Sequence, residues 1–227
     1  MTTNAVTKQF WNRVALENSA WYSATGFSTE SEHFFATGAR DVDEFLALAG
    51  VRLALEDTIL EIGCGSGRMT RRLSSRARRV VAADVSSEML SRASTNLEGA
   101  GNVDFLELSG DGSVDLPDGS VDAVFSYITM QHVSSSAALD KYLSEAIRVV
   151  RPGGWVVMQF RRMELASRAL DWRGHIANFL RGKKTLNKSW RGAQIAESQL
   201  RNHRRSDVGL DILRLDARHV WVVAKRS

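Results

Sequence analysis

Residues 58–70 read TILEIGCGSGRMT, a short apolar run that stops at a cluster of glycines. Ile59, Leu60 and Ile62 are typical of a buried strand, and a helical pattern follows the glycines directly. Glycine permits both a tight turn and the close approach of the backbone to a ligand. The stretch therefore predicts a buried strand, a tight turn and the N-terminus of a helix.

The spacing of the glycines narrows the choice of ligand. Gly63, Gly65 and Gly67 alternate along the chain, and Arg68 occupies the place of the third glycine in the dinucleotide pattern Gly-x-Gly-x-x-Gly. Glu61 adds a carboxylate at the end of the strand, which would repel a phosphate but could hold an ammonium group or orient the loop. An NAD-dependent oxidoreductase is therefore disfavoured.

Strand-like and helical runs alternate from Leu55 onward, which predicts a parallel sheet with right-handed crossovers. The five expected strands are 58–62, 78–84, 103–108, 121–127 and 155–160. Helices are expected at 66–77, from a cap at Ser86, and over 139–150, where Pro152-Gly153-Gly154 ends the helix.

Near the C-terminus, the runs 211–215 and 219–224 are separated by only a short turn. They predict a hairpin whose last strand runs antiparallel to the others. The expected fold is thus α/β: a doubly wound, Rossmann-like, seven-stranded sheet, mostly parallel with an antiparallel C-terminal strand.

Residues 1–50 are helical in pattern and rich in aromatic side chains. Asp41 is a candidate cap for a helix carrying Val42, Phe45 and Leu46. The segment could simply pack against the sheet, or it could be a lid over a cofactor and substrate, and a lid also needs an apolar underside. We divide the chain into an N-terminal helical cap or lid (1–50) and a core (51–227).

Composition sets broad bounds. A chain of 227 residues is long enough for one sizeable α/β core with additions. The single cysteine, Cys64, excludes an internal disulfide, fits a reducing compartment and is expected to be a buried small hydrophobe. The start of the chain has no secretory pattern, and no apolar run has the length of a membrane span, so the expected location is cytoplasmic.

Residues 61–67, EIGCGSG, resemble the first motif of the class I S-adenosylmethionine-dependent methyltransferases. Asp84 follows at the end of the second strand, 21 residues after Gly63 (84 minus 63), where doubly wound folds place a carboxylate for two ribose hydroxyls. Residues 84–90, DVSSEML, resemble the family's ribose-binding motif, which places Val85 and Met89 beside the cofactor, Met89 against the adenine face.

Two later segments extend the resemblance. Gly110-Asp111-Gly112 resembles the segment in which an aspartate accepts from the adenine amino group and the next backbone N–H meets a ring nitrogen, roles that fall on Asp111 and Gly112. Ser126, at the end of the fourth strand, is expected near the methionine part of the cofactor, and His132 near the transferred methyl group. His132 is a candidate general base. It could equally be a scaffold residue hydrogen-bonded to backbone.

The connection 161–205 contains twelve Lys or Arg residues against three acidic ones, with Trp172, Phe179 and Trp190 interleaved. A solvated helical face is the usual meaning of such charge. Because the family builds its acceptor pocket on this side, the segment also predicts an anionic or polar acceptor. RNA is a possible acceptor, but no recognisable RNA-binding module is present.

The resemblance implies an enzyme that uses S-adenosyl-L-methionine and releases S-adenosyl-L-homocysteine. The acceptor is expected to be a small molecule, methylated on an oxygen: a polar or anionic metabolite, a sugar or a lipid-linked compound. The alternatives are an RNA or other macromolecule methyltransferase, and a non-catalytic S-adenosylmethionine-binding protein whose acceptor pocket the N-terminal aromatics block. No metal site is predicted.

Overall fold

The computed structural model describes residues 3–23, 27–163, 192–214 and 218–227. The strands, in chain order, are β1 (Thr58–Ile62), β2 (Arg79–Asp84), β3 (Val103–Glu107), β4 (Val121–Ser126), β5 (Val150–Arg161), β6 (Val208–Leu213) and β7 (His219–Arg226). The helices are α1 (Thr3–Ser23), α2 (Glu32–Leu48), α3 (Thr70–Ser74), α4 (Ser87–Asn96), α5 (Ser136–Val149) and α6 (Glu197–Arg201), and a 3₁₀ turn spans Met130–His132.

The seven strands form one sheet in the order β3-β2-β1-β4-β5-β7-β6. β7 runs antiparallel to both of its neighbours, β5 and β6, and all other neighbouring pairs are parallel. The predicted seven-stranded, doubly wound sheet with an antiparallel C-terminal strand is confirmed. The chain moves outward from β1 to β3 and then returns to β4, so a crevice opens at the carboxyl end of β1, where ligands bind in such sheets.

Helices cover both faces of this sheet, which explains why β1 is buried along its whole length. On one face, α5 packs Leu143 and Ile147 into a core that contains Leu60. On the other face, α2 packs Val42 and Leu46 around Ile59. A strand buried on both sides reads as a continuous apolar run, as β1 does apart from Glu61.

Of three predictions about helix ends, one is confirmed and two are wrong. Ser86 does cap α4, since its hydroxyl accepts from the Met89 N–H at 3.1 Å. The expected helix over 66–77 is wrong in length, because residues 65–69 form turns and regular helix is confined to α3. Asp41 is not a helix cap. It lies inside α2, whose N-cap is Ser31, and its carboxylate instead pairs with Arg68 at 2.8 Å, a partner that no local pattern reveals.

The expected start of the fifth strand is also wrong. β5 begins at Val150, immediately after α5, and already contains Pro152-Gly153-Gly154. Val150 pairs with Val121 of β4, and the next paired residue, Trp155, lies opposite Ala123. β5 therefore has more residues than β4 between these two pairs, and the extra residues form an irregularity in the strand. Proline is tolerated there because it lies outside the regular hydrogen-bond ladder. Among the described helices, none is both long and apolar enough to cross a membrane.

Candidate functional site

A cavity lies at the carboxyl end of β1, with about 980 Å³ of empty space including its open mouth. Its walls come from the segments that follow β1, β2, β3 and β4, from α1, and from Tyr142 of α5. It brings together seven of the residues predicted from the sequence: Glu61, Gly63, Gly65, Asp84, Val85, Met89 and His132. The crevice expected from the strand order is therefore the place where these residues meet.

The glycines of the loop after β1 have separate roles. Gly63 has φ +83°, and a Cβ there would lie 2.0 Å from Oγ1 of Thr129, so glycine lets the segment after β4 pass close to the loop. Gly67 has φ +90° but does not line the cavity. Its nearest neighbours are Leu97 and Ala93 on the α4 side, so it allows close packing of the loop against that helix.

Glu61 is a carboxylate held out of water in the middle of this site. Its side chain is buried, and its Oε2 accepts a hydrogen bond from the Thr70 hydroxyl at 2.6 Å. Burial raises the pKa of Glu61 from 4.5 to about 7, against the opposing effects of Thr70 and of the nearby Arg68. Glu61 can therefore change its charge near neutral pH when a cation arrives beside it.

Arg68 connects this loop to the N-terminal helices. Its side chain is buried, lines the cavity and donates to Asp41 Oδ2 at 2.8 Å and to the Thr37 hydroxyl at 3.4 Å. α2 can approach this closely because residue 38 is glycine: a Cβ there would lie 2.3 Å from the Arg68 carbonyl oxygen. Sequence reasoning noted Arg68 only as a departure from the dinucleotide pattern, and did not identify it as a residue of the site.

Asp84 bridges the two loops at the crevice. Its Oδ2 accepts from the Gly65 N–H at 3.0 Å, and its Oδ1 accepts from the Ser86 N–H at 2.9 Å. Burial raises the pKa of Asp84, and these backbone donors oppose that rise. Each carboxylate oxygen has two lone pairs, so each can accept a further hydrogen bond. The geometry therefore suits a ligand with two neighbouring hydroxyl groups.

Cys64 follows Gly63 in this loop and is a buried free thiol. It packs with Ala82 and Leu90, as expected for a small hydrophobic side chain. Burial raises the pKa of the thiol, so it stays protonated.

α1 supplies a wall that no motif specified. Thr7, Trp11, Tyr22 and Ser23 line the cavity, and Trp11 is buried against Met89 and Val85. The Trp11 ring also meets the ring of His132 edge to face, with centroids 5.1 Å apart. The aromatic richness of residues 1–50 was the only sequence signal for this wall. Tyr127, Thr129 and Tyr142 are further lining residues that sequence reasoning missed.

The His132 ring lies at the end of the 3₁₀ turn and faces the cavity. Its Nε2 is 3.2 Å from Nε2 of Gln131, whose Oε1 in turn lies 3.3 Å from Nε2 of His219 on β7. The Gln131 amide thus lies between two imidazoles and fixes the orientation of the His132 ring.

Four predicted site residues lie outside the lining of the cavity: Gly67, Asp111, Gly112 and Ser126. The Asp111 carboxylate accepts from Lys141 Nζ at 2.8 Å and from the Ser113 N–H at 2.9 Å, and these donors hold its pKa well below its usual range. Gly112 packs against α5, and Gly110 takes the position on the cavity wall. The buried Ser126 donates to the Ile62 carbonyl at 2.8 Å and ties β4 to β1.

Most of the basic connection, residues 164–191, lies outside the described residues, and with it the predicted acceptor region around Trp172, Phe179 and Trp190. Of its described cations, Arg162 and Arg201 lie 3.5 Å and 4.0 Å from Glu197. Within the ranges that the structure covers, no group of histidine, cysteine or acidic side chains is arranged to hold a metal ion.

Comparison with known proteins agrees with this architecture. Residues 60–158 match the family model described as a methyltransferase domain. The ubiquinone biosynthesis O-methyltransferase of Burkholderia vietnamiensis is 30% identical over 127 residues, 56% of this chain and 51% of the relative. The malonyl-[acyl-carrier protein] O-methyltransferase of Yersinia pestis is 33% identical over 129 residues, 57% of this chain and 44% of the relative.

Thus the chain spans only about half the length of the curated relatives that it matches. Among solved structures, magnesium protoporphyrin IX methyltransferase from Synechocystis PCC 6803 with bound S-adenosylhomocysteine has the same fold, with a TM-score of 0.61 and 18% identity over 98% of this chain and 99% of that one. Over residues 60–158 the chain thus matches a methyltransferase domain, and its fold is that of a solved S-adenosylhomocysteine-bound methyltransferase.

Proposed function

We propose that this chain is an enzyme that transfers a methyl group from S-adenosyl-L-methionine to an oxygen atom of a small polar or anionic molecule. One observation carries the proposal: the same cavity is lined by the buried carboxylate of Glu61 in β1, by the half-buried carboxylate of Asp84 at the end of β2, and by the imidazole of His132. The two carboxylates suit the methyl donor, and the imidazole suits an acceptor hydroxyl that must lose a proton.

The residues of the cavity fit the chemistry of this cofactor, which carries an ammonium group, a sulfonium and two ribose hydroxyls. Asp84 can accept from both hydroxyls, and Glu61 can balance a positive charge. Val85, Met89 and Trp11 form an apolar surface for an adenine face. The carboxylate of Glu61, when ionised, would repel a pyrophosphate, which argues against a dinucleotide in the same place.

When bound, the cofactor supplies a methyl group already activated as a sulfonium, so the protein needs mainly to position the acceptor and exclude water. Trp11 and Tyr22 on α1 cover the cavity and would limit its access to water. An oxygen acceptor must also lose its proton. His132 would accept it at Nε2, where the acceptor hydroxyl would replace the Gln131 amide N–H that donates to this nitrogen.

Two further observations support the choice of acceptor. Both curated relatives described above are named O-methyltransferases, which supports oxygen as the attacked atom. The basic connection 161–205 supports a polar or anionic acceptor. The N-terminal aromatics line the cavity and leave space within it, so the lid role of residues 1–50 is part of the proposal.

The test is methyl transfer from a labelled donor to a panel of hydroxylated small molecules and to bulk RNA, with the parent protein and with the His132→Ala variant. We expect kcat to fall by 10²-fold or more, the usual share of a general base, and affinity for S-adenosylhomocysteine to stay unchanged. His33→Ala is the matched control, because His33 is an exposed residue of α2 that does not line the cavity, and it should keep full activity.

Each failure has its own meaning. Full activity in His132→Ala would make His132 a scaffold residue. Binding of S-adenosylhomocysteine with no transfer to any acceptor would favour a non-catalytic binding protein, and transfer to RNA alone would favour the macromolecular alternative.

A further inference from the structure

α1 contacts both of the loops that carry the predicted cofactor residues. Near its C-terminal end, the Ser23 hydroxyl lies 3.2 Å from the Ser66 hydroxyl and accepts from the Ser66 N–H at 3.4 Å, on the loop after β1. In its first half, Asn12 contacts the loop after β2. A kink at Asn18, with φ −168° and ψ 87°, separates the last five residues of α1, which include Ser23, from the longer part that carries Asn12.

The Asn12 contact leads directly to Asp84. Asn12 Oδ1 accepts from the Ser86 hydroxyl at 2.7 Å, and its Nδ2 donates to the Ser87 hydroxyl at 3.4 Å. Ser86 is fully buried, and its N–H donates to Asp84 Oδ1 at 2.9 Å. One residue therefore joins a side chain of α1 to the carboxylate predicted to hold the ribose.

We propose that Asn12 is a positioning residue that couples the seating of α1 over the cavity to cofactor binding at Asp84. The inference rests on the proposed function, since it presumes that Asp84 binds the cofactor. A ligand on Asp84 would hold the Ser86 loop in the geometry that Asn12 recognises. By reciprocity, a seated α1 would raise the affinity of Asp84 for the ligand by the same factor.

Two other contacts of the first half of α1 do not involve Ser86. Lys8 pairs with Glu107, but both side chains are 43% exposed, so this ion pair contributes little. Trp11 packs on Met89 and Val85, which holds α1 near the cavity. Asn12 is the contact that depends on the exact position of Ser86, and through Ser86 on that of Asp84.

The experiment measures S-adenosylhomocysteine binding by calorimetry, and hydrogen exchange of residues 7–22 with and without that ligand. Asn12→Ala should weaken binding about three- to tenfold, the range that one net hydrogen bond allows. It should also reduce the slowing of α1 exchange that the ligand causes in the parent. Arg13→Ala, a change at the next residue, whose side chain is 64% exposed and lies beside Glu17, is the control and should match the parent in both measurements.

A double-mutant cycle separates coupling from a general loss of structure. Ser86→Ala removes the hydroxyl but keeps the backbone N–H that donates to Asp84. Adding Asn12→Ala in that background should therefore cost less affinity than in the parent, because only the longer contacts of Asn12 with Ser87 and with the Glu88 N–H remain to be lost. An equal loss in both backgrounds would overturn the proposal, as would an unchanged affinity in Asn12→Ala. If the parent itself did not bind S-adenosylhomocysteine, the proposed function would fall first. Faster α1 exchange in ligand-free Asn12→Ala would then still show that Asn12 holds the helix, but not that it couples to a ligand.

Discussion

Replacing Glu61 with glutamine should make the cofactor-free protein more stable at pH 8 and worse at binding its cofactor. The carboxylate is 4% exposed, and burial raises its pKa from 4.5 to about 7. In the unfolded chain it ionises near 4.5, so between these two pH values the folded protein holds a proton that the unfolded chain has released. The parent therefore loses stability as pH rises from about 4.5 to 7, and the loss is complete above that range.

The shift sets the size of the effect. A difference of one pKa unit corresponds to 1.36 kcal/mol, so the rise from 4.5 to about 7 amounts to roughly 3 kcal/mol of unfolding free energy at pH 8. Glutamine is neutral throughout, and its amide oxygen can still accept from the Thr70 hydroxyl. Relative to the parent, the Glu61→Gln variant should therefore gain about 2–3 kcal/mol of unfolding free energy between pH 5 and pH 8. The cost of burying its NH₂ group lowers the stability of the variant equally at every pH.

Urea unfolding at pH 5, 6, 7 and 8 without cofactor measures this difference, and calorimetry with S-adenosylmethionine measures the cost to binding. Glu145→Gln is a control of opposite sign, because hydrogen bonds from Arg148 lower the pKa of Glu145. That variant should be less stable than the parent at neutral pH, with the difference fading as pH falls. A difference between Glu61→Gln and the parent that is the same at pH 5 and pH 8 would refute the claim that Glu61 is held neutral by burial.

Two further outcomes follow from the site. Asp84→Ala should weaken cofactor binding by on the order of 1.5–3 kcal/mol, measured by calorimetry, because it removes an acceptor for two hydroxyls in a partly dry site; equal affinity would remove Asp84 from the site. In the basic connection, neutralising Lys183, Lys184 and Lys188 together should reduce activity, and unchanged activity would leave them as solvated surface. The affinity of the parent for a small acceptor should depend only weakly on salt, whereas its affinity for RNA should fall about tenfold or more for each threefold rise in salt concentration.

The sequence predicted the sheet well because its signals are local. Alternating strand and helix patterns, a glycine cluster and two closely spaced terminal strands determine the order of elements, and right-handed crossovers then determine the topology. The loop residues Gly63 and Asp84 were predictable for the same reason. Each lies at the end of a central strand, and the ends of neighbouring parallel strands meet at one edge of the sheet.

The misses have a common physical cause, which is that they depend on contacts between distant parts of the chain. Asp41 has the residue type of a helix cap, but its partner, Arg68, lies 27 residues further on. The cofactor role of Asp111 stays a prediction, and the sequence did not reveal that Lys141 on α5 pairs with its carboxylate outside the cavity lining. Trp11 belongs to a segment without any motif, and only the packing of α1 brings it to His132.

The ion pair between Arg68 and Asp41 also bears on where the chain can be cut. The family model begins at residue 60, yet a fragment starting there would lack α2, which both pairs with Arg68 through Asp41 and packs against it at Gly38. The same cut would uncover the apolar face that Val42 and Leu46 protect. A chimaera between homologues should therefore be joined between α1 and α2, so that α2 and the sheet come from the same parent protein.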